Sequence, residues 1–190
     1  MSTRICVFGS SSTKTADVLK QGSFALGEII AETKNTLVFG GGRHGCMGAV
    51  QDGCRSKSGD IIGICHETFL PGNETAGLFT KLIVSTGPTL QDRKKSLYEH
   101  SDCIIVLPGG VGTFDELFET ICLRSLRMSN FENIPICLLN INGFFDHTVA
   151  QMERAAADGV LYGEVPAYFH VTSEPQEAVD WCLSQLHAAA

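Results

Sequence analysis

The chain has no run of about 18 apolar residues, so nothing in it reads as a membrane-spanning helix. Its first residues, MSTRICVFGSSS, carry an apolar stretch too short for the core of a signal peptide, and its last, LSQLHAAA, carry no address or lipidation motif. A cytoplasmic location is expected. Positive charge is also short: 14 Lys and Arg against 21 Asp and Glu leave a formal net charge of −7. That argues against a nucleic acid polymer as partner, which would need a basic face, though a small phosphorylated ligand needs only local positive charge. Cysteine is present but unpatterned. The eight, Cys6, Cys46, Cys54, Cys65, Cys103, Cys122, Cys137 and Cys182, include no C-x-x-C and no paired Cys/His spacing. Several fall in apolar runs, where a free thiol behaves as a small hydrophobe, so reduced, buried cysteines are expected. His44, His66, His100, His147 and His170 make no metal-spaced set, and no metal site is expected. No S-x-x-K, G-x-S-x-G or Cys/His pattern signals a covalent nucleophile.

What the chain has is alternation. Strands are expected over 4–9, 36–39, 60–65, 81–85, 103–107, 134–140 and 168–171. Helices are expected over 15–33 (weakened by Gly22), from Gly45 to before Ser58, over 90–100, from Thr113, over 143–158 with Gly159 as C-cap, and after an N-cap at Ser173. With no linker and no repeat, 190 residues in this pattern imply one domain of the α/β class: a doubly wound, mainly parallel sheet with helices on both faces. Ligands of such sheets sit at the carboxyl ends of strands. Three strands here end in glycine or serine, at Gly9-Ser10-Ser11, Gly40-Gly41-Gly42 and Pro108-Gly109-Gly110, and could meet over one pocket.

The organising stretch is Cys103 to Leu126, in which an apolar strand, the loop Pro108-Gly109-Gly110-Val111-Gly112 and a helix follow one another directly. Unpaired N–H groups and the helix dipole make such a junction an anion site. It is not a Walker A loop, since no G-K-[ST] follows. Thr113 to Glu116 reads T-x-x-E, so Glu116 is equally a capping-box residue bonding back to the Thr113 N–H and a chemical group. Asp115 and Glu119 read as solvated helix residues. The basic triplet Arg93-Lys94-Lys95 is ordinarily solvated surface too, yet strand order could bring one turn of it to the glycine loop and supply a cation for a phosphate or leaving group. Gly40, Gly42 and Gly45 make a G-x-G-x-x-G after a strand, but the acidic residue of a dinucleotide fingerprint is not clearly placed, Glu67 being late.

Together these residues resemble the LOG ("lonely guy") family over roughly Ile5 to Gly159. Pro108 to Glu116 matches its PGGxGTxxE motif, and Arg93-Lys94 its upstream RK pair. GGGRHGCMGAV is similar to GGGxxGLMGxVA, VFGSSS to the family's first strand end, Asn73 to Gly77 to GETxG, and LLNINGFFD to LLNxxGYYD. The resemblance implies a modified Rossmann fold, a homodimer, no cofactor, and cleavage of a nucleoside 5′-monophosphate (AMP or a cytokinin riboside monophosphate) to free base and ribose 5-phosphate. By the same resemblance Arg93 and Glu116 would be the catalytic pair. Glu74, Lys94, Gly109, Gly110, Val111, Gly112, Thr113, Gly9, Ser10, Gly41 and Gly42 would line the substrate site. Many members carry the label lysine decarboxylase, which no pyridoxal-phosphate lysine supports here. The chain departs from the pattern at Cys122-Leu123, where the family has threonine–tryptophan, and at Ser125 to Arg127, where it has QLG; both departures bear on base or side-chain preference. Two other classes stay open: a non-catalytic carrier of a nucleotide or phosphorylated cofactor, and an NAD-dependent dehydrogenase.

Overall fold

The computed structural model describes residues 2–70, 77–128 and 131–188. Seven strands form one parallel sheet: β1 (Arg4–Phe8), β2 (Thr36–Phe39), β3 (Asp60–His66), β4 (Lys81–Ser85), β5 (Cys103–Val106), β6 (Ile136–Leu139) and β7 (His170–Thr172), in the order β4-β3-β2-β1-β5-β6-β7. Among the described residues five α-helices lie between strands, α1 (Asp17–Glu32), α2 (Gly45–Ser56), α3 (Gln91–Glu99), α4 (Val111–Ser125) and α5 (Asp146–Ala157), and a sixth, α6 (Pro175–Ala188), follows β7. Side-chain alternation splits the sheet into two apolar faces. Ile5, Val7, Leu37, Phe39, Cys103 and Ile105 pack beneath α1, α2 and α6, while Cys6, Phe8, Val38, Ile104 and Val106 pack beneath α3, α4 and α5. This is the expected doubly wound fold.

The chain builds outward from β1 to β4, then returns to the other side of β1 to lay down β5. The order reverses between β1 and β5, and there the connections diverge and open a crevice. The three strands that end in glycine or serine, β2, β1 and β5, are neighbours at this switch point.

Several local expectations need correction. Helix α1 runs unbroken through Gly22, because a β-carbon there would meet the Ile141 side chain at 2.7 Å; the glycine makes room for packing. Helix α5 starts at Asp146 rather than Gly143, since Ile141–Gly143 forms a 3₁₀ turn with Asn142 and Gly143 at positive φ. Gly159, at φ 71°, closes α5 as expected: its N–H bonds Ala156 and the Val160 N–H bonds Ala155, a Schellman pair. At α6 it is the Thr172 hydroxyl, not Ser173, that accepts from the Glu174 N–H. All eight cysteines are free and all but Cys122 are buried, with burial pushing the Cys54 and Cys137 thiols up to about 12.

Candidate active site

The strand ends are knit together before any side chain takes part. The Ser10 N–H donates to the Pro108 carbonyl at 3.0 Å, and the Met47 N–H donates to the Ser10 carbonyl at 3.0 Å, joining the ends of β1 and β5 to the first turn of α2. Above this floor lies a cleft of about 580 Å³. It is lined by Gly9, Ser10, Ser11, Ser12, Gly40, Gly41, Gly42, Met47, His66, Phe69, Leu90, Arg93, Lys94, Gly110, Val111, Gly112, Thr113, Asp115 and Glu116.

One wall is the N-terminus of α4. The helix begins at Val111, with Gly110 as an N-cap that has no side-chain partner. A β-carbon on Gly110 or Gly112 would meet nothing within 4 Å, and neither residue has positive φ. Nothing in the protein's own packing requires glycine at these two positions. What their small size leaves open is space in the cleft, over the unpaired amides of a helix N-terminus. Gly109 is different: its missing β-carbon leaves room for Thr113, whose hydroxyl would otherwise stand 2.1 Å away, and it does not line the cleft.

Because α4 starts two residues before Thr113, Thr113 lies inside the first turn and Glu116 in the second. The capping box is therefore not formed. The Glu116 carboxylate instead accepts from Arg93 Nη1 at 3.1 Å, both side chains being only 13% exposed. Arg93 Nε donates to the Ile64 carbonyl of β3 at 3.1 Å, which anchors the guanidinium above the ends of β2 and β3. Burial raises the Glu116 pKa above its ordinary value, and the Arg93 charge pulls it back only part of the way. A buried carboxyl with a raised pKa, paired to a guanidinium in a cleft, is equipped for acid–base or electrostatic work.

The basic triplet divides. Lys95 points to solvent, while Lys94 is 7% exposed and donates to Asp115 Oδ2 at 3.1 Å and Glu119 Oε2 at 3.0 Å. Glu119 also accepts from the Tyr98 hydroxyl at 2.7 Å, so it is a partner in a network and not a solvated residue. These carboxylates raise the Lys94 pKa against the effect of its burial. A smaller hollow of about 250 Å³ is lined by Tyr98, Glu119, Leu123 and Phe131 among others, so Glu119 of this network borders it.

Of the expected site residues, the structure brings Gly9, Ser10, Gly41, Gly42, Arg93, Lys94, Gly110, Val111, Gly112, Thr113 and Glu116 to one cleft. Glu74 lies outside the described residues. Met47, His66, Phe69 and Leu90 were not among the expected site residues; Met47 lies in the GGGRHGCMGAV loop, and the signal for the others was a position at or just beyond a strand end or at a helix start. Glu67, the candidate dinucleotide acid, does not line the cleft, and its carboxylate accepts from the Gly87 N–H at 3.4 Å. Among the described residues no group of three or more His, Cys, Asp and Glu could hold a metal ion.

A family profile described as "Possible lysine decarboxylase" matches residues 47–182. A probable cytokinin riboside 5′-monophosphate phosphoribohydrolase of Oryza sativa subsp. japonica is 33% identical over 158 residues, which span 83% of this chain and 67% of that one. A cytokinin riboside 5′-monophosphate phosphoribohydrolase of Arabidopsis thaliana is 31% identical over 83% of this chain and 72% of its own length. Among solved structures, the molybdenum cofactor carrier protein of Chlamydomonas reinhardtii superposes with a TM-score of 0.70 at 21% identity, covering 99% of both chains.

Proposed function

The chain belongs to the LOG family, and we propose that it is a phosphoribohydrolase that cleaves the N-glycosidic bond of a nucleoside 5′-monophosphate. The observation that carries this reading is the buried Arg93–Glu116 pair beside the α4 N-terminus, where Gly110 and Gly112 leave the helix amides accessible from the cleft. The amides from Gly110 to Thr113 and the α4 dipole receive the 5′-phosphate. Binding energy from that remote group holds C1′ against the catalytic pair. As the C1′–N bond breaks, positive charge develops on the ribose and negative charge on the base. Glu116 stabilises the first and takes a proton from the attacking water, whose oxygen bonds C1′. Arg93 stabilises the negative charge on the leaving base, which takes up one proton from solvent while Glu116 returns its own, so that one water is added across the broken C1′–N bond. Lys94 keeps Asp115 and Glu119 neutralised along the same helix, and Gly9, Ser10, Gly41 and Gly42 line the same cleft.

Schiff-base chemistry of the kind a lysine decarboxylase performs finds no support here. The buried lysine of the cleft is held as an ammonium by two carboxylates. The homodimer belongs to this proposal as well, supported by the half-exposed rings of Phe118 and Phe144 on either side of Phe114, each 6.4 Å from it. So does a cytoplasmic location; no helix among the described residues is long and apolar enough to cross a membrane.

The deciding experiment is incubation with AMP and with isopentenyl-AMP, followed by chromatography for free base and ribose 5-phosphate. Equimolar release of both products is expected. Binding without release would favour the second reading, a carrier of a phosphorylated ligand. That reading draws support from the shared fold of the molybdenum cofactor carrier.

A further inference from the structure

The cleft has an apolar end that the phosphate loop and the Arg93–Glu116 pair leave unused. Just beyond β3 the chain makes a 3₁₀ turn, Glu67–Phe69, and Phe69 lines the cleft with 66% of its surface exposed. A phenylalanine so bare is costly to leave in water, and the turn that presents it is well tied down. His66 is buried and uses both ring nitrogens: Nδ1 accepts from the Thr68 N–H at 3.2 Å, and Nε2 donates to the Gly87 carbonyl at 3.0 Å. The Gly87 N–H in turn donates to Glu67. The turn is thus clamped to the segment ahead of α3, and the Phe69 ring stands 6.3 Å from the imidazole. Leu90, 42% exposed at the N-cap of α3, lines the cleft beside Arg93.

We propose that Phe69 is the nucleobase platform of this cleft, with Leu90 flanking it, so that the planar heteroaromatic base of the substrate stacks there while its phosphate lies on the amides of α4. The inference rests on the reading of the site as one for nucleoside 5′-monophosphates. The order of groups along the cleft supports it. The phosphate-binding amides belong to the β5–α4 junction, Arg93 sits above the ends of β2 and β3, and Phe69 follows β3. A ligand anchored at α4 with its C1′ at Arg93 and Glu116 therefore points its base toward the β3 end. Stacking suits the position because every base has a π face and Phe69 presents a bare ring.

The test compares two ligands that differ by the base alone, AMP and ribose 5-phosphate, by calorimetry in a Glu116→Gln background so that nothing is consumed. Phe69→Ala is expected to weaken AMP on the order of tenfold and to leave ribose 5-phosphate unchanged. Phe69→Trp, which keeps an aromatic face, is expected to hold AMP within about twofold. Equal AMP affinity before and after Phe69→Ala overturns the platform, and so does an equal loss for both ligands. AMP binding no tighter than ribose 5-phosphate before any change at Phe69 also overturns it. The two readings fail separately: base release by the wild-type protein with a Phe69-insensitive affinity removes the platform alone, whereas Phe69-dependent AMP binding without base release removes the hydrolase alone.

Discussion

Gly40 lies directly beneath Arg93, so close that a β-carbon there would stand 1.7 Å from Nη2 of the guanidinium. The first residue of the glycine turn after β2 is thus shaped around a side chain of α3 that comes 53 residues later. The atom in the way is the far end of a flexible side chain, so the structure can yield at that point and lose little else. Gly40→Ala is expected to displace Arg93 from Glu116 and from the Ile64 carbonyl. The fold should survive, by circular dichroism, while base release falls by ~10²–10³, the usual consequence of losing one electrostatic group. Full activity in this variant would show that the Arg93 position is not needed.

Glu116→Gln tests the charge without emptying the site. The amide oxygen still accepts from Arg93, so the local geometry has a substitute. The folded-state pKa of Glu116 is raised, chiefly by burial, so the fold favours the protonated acid. Stability from this group is fully present below the ordinary glutamate pKa of about 4.3 and is lost as pH rises through the higher folded value. At neutral pH the carboxylate therefore costs stability, and glutamine removes that cost. The variant is expected to melt at or above the wild-type temperature in a thermal scan while releasing almost no base. A lower melting temperature with retained release would contradict both halves.

The same shift sets the acid limb of the pH profile. A general base must be ionised, so kcat/KM for AMP is expected to fall as pH drops through a pKa above about 4.3, the value for an unperturbed glutamate. A limb centred at or below that value would mean that another group carries the chemistry.

Lys94→Met leaves Asp115 and Glu119 facing each other's helix turn without their shared cation. Losing a fully buried partner costs roughly 3–5 kcal/mol, but Asp115 stays well exposed, so about 2 kcal/mol is expected. That corresponds to a fall of about 4–8 °C in Tm for a chain of this size. Adding Glu119→Gln should recover part of the loss, which a double-mutant cycle measures. Additivity of the two changes would deny the ion pair.

Gly27→Ala addresses the other face of the sheet, where α1 and α2 pack backbone to backbone. A β-carbon on Gly27 would meet the Val50 carbonyl at 2.1 Å and the Cys54 nitrogen at 2.7 Å, and backbone atoms cannot swing aside. Separation of the helices is expected to cost about 1–3 kcal/mol, or more if the shift spreads. Denaturant titration reads this directly, with the affinity for ribose 5-phosphate as a control for the distant cleft.

The strands were legible because their apolar runs are short and rich in β-branched residues, a pattern that burial on both faces demands of the central strands β1, β2, β5 and β6. The α4 wall of the cleft was legible for a similarly local reason: a glycine loop entering a helix has one set of unpaired amides wherever it is placed. Glu116 shows where local reasoning stops. T-x-x-E fits a helix that starts at Thr113, and spacing alone cannot tell that α4 takes two residues more; only the approach of Arg93 from α3 assigns the carboxylate its partner. Glu119 reads as solvated until Tyr98 and Lys94 arrive beside it. Phe69 and Leu90 belong to no motif, and they face one cleft only because β3 ends and α3 begins on the same side of the sheet. Composition and periodicity determined the class of fold and the glycine loop that opens a helix N-terminus at one end of the cleft. Which side chains face one another was decided by strand order, because contacts across tens of residues depend on packing that no local spacing encodes.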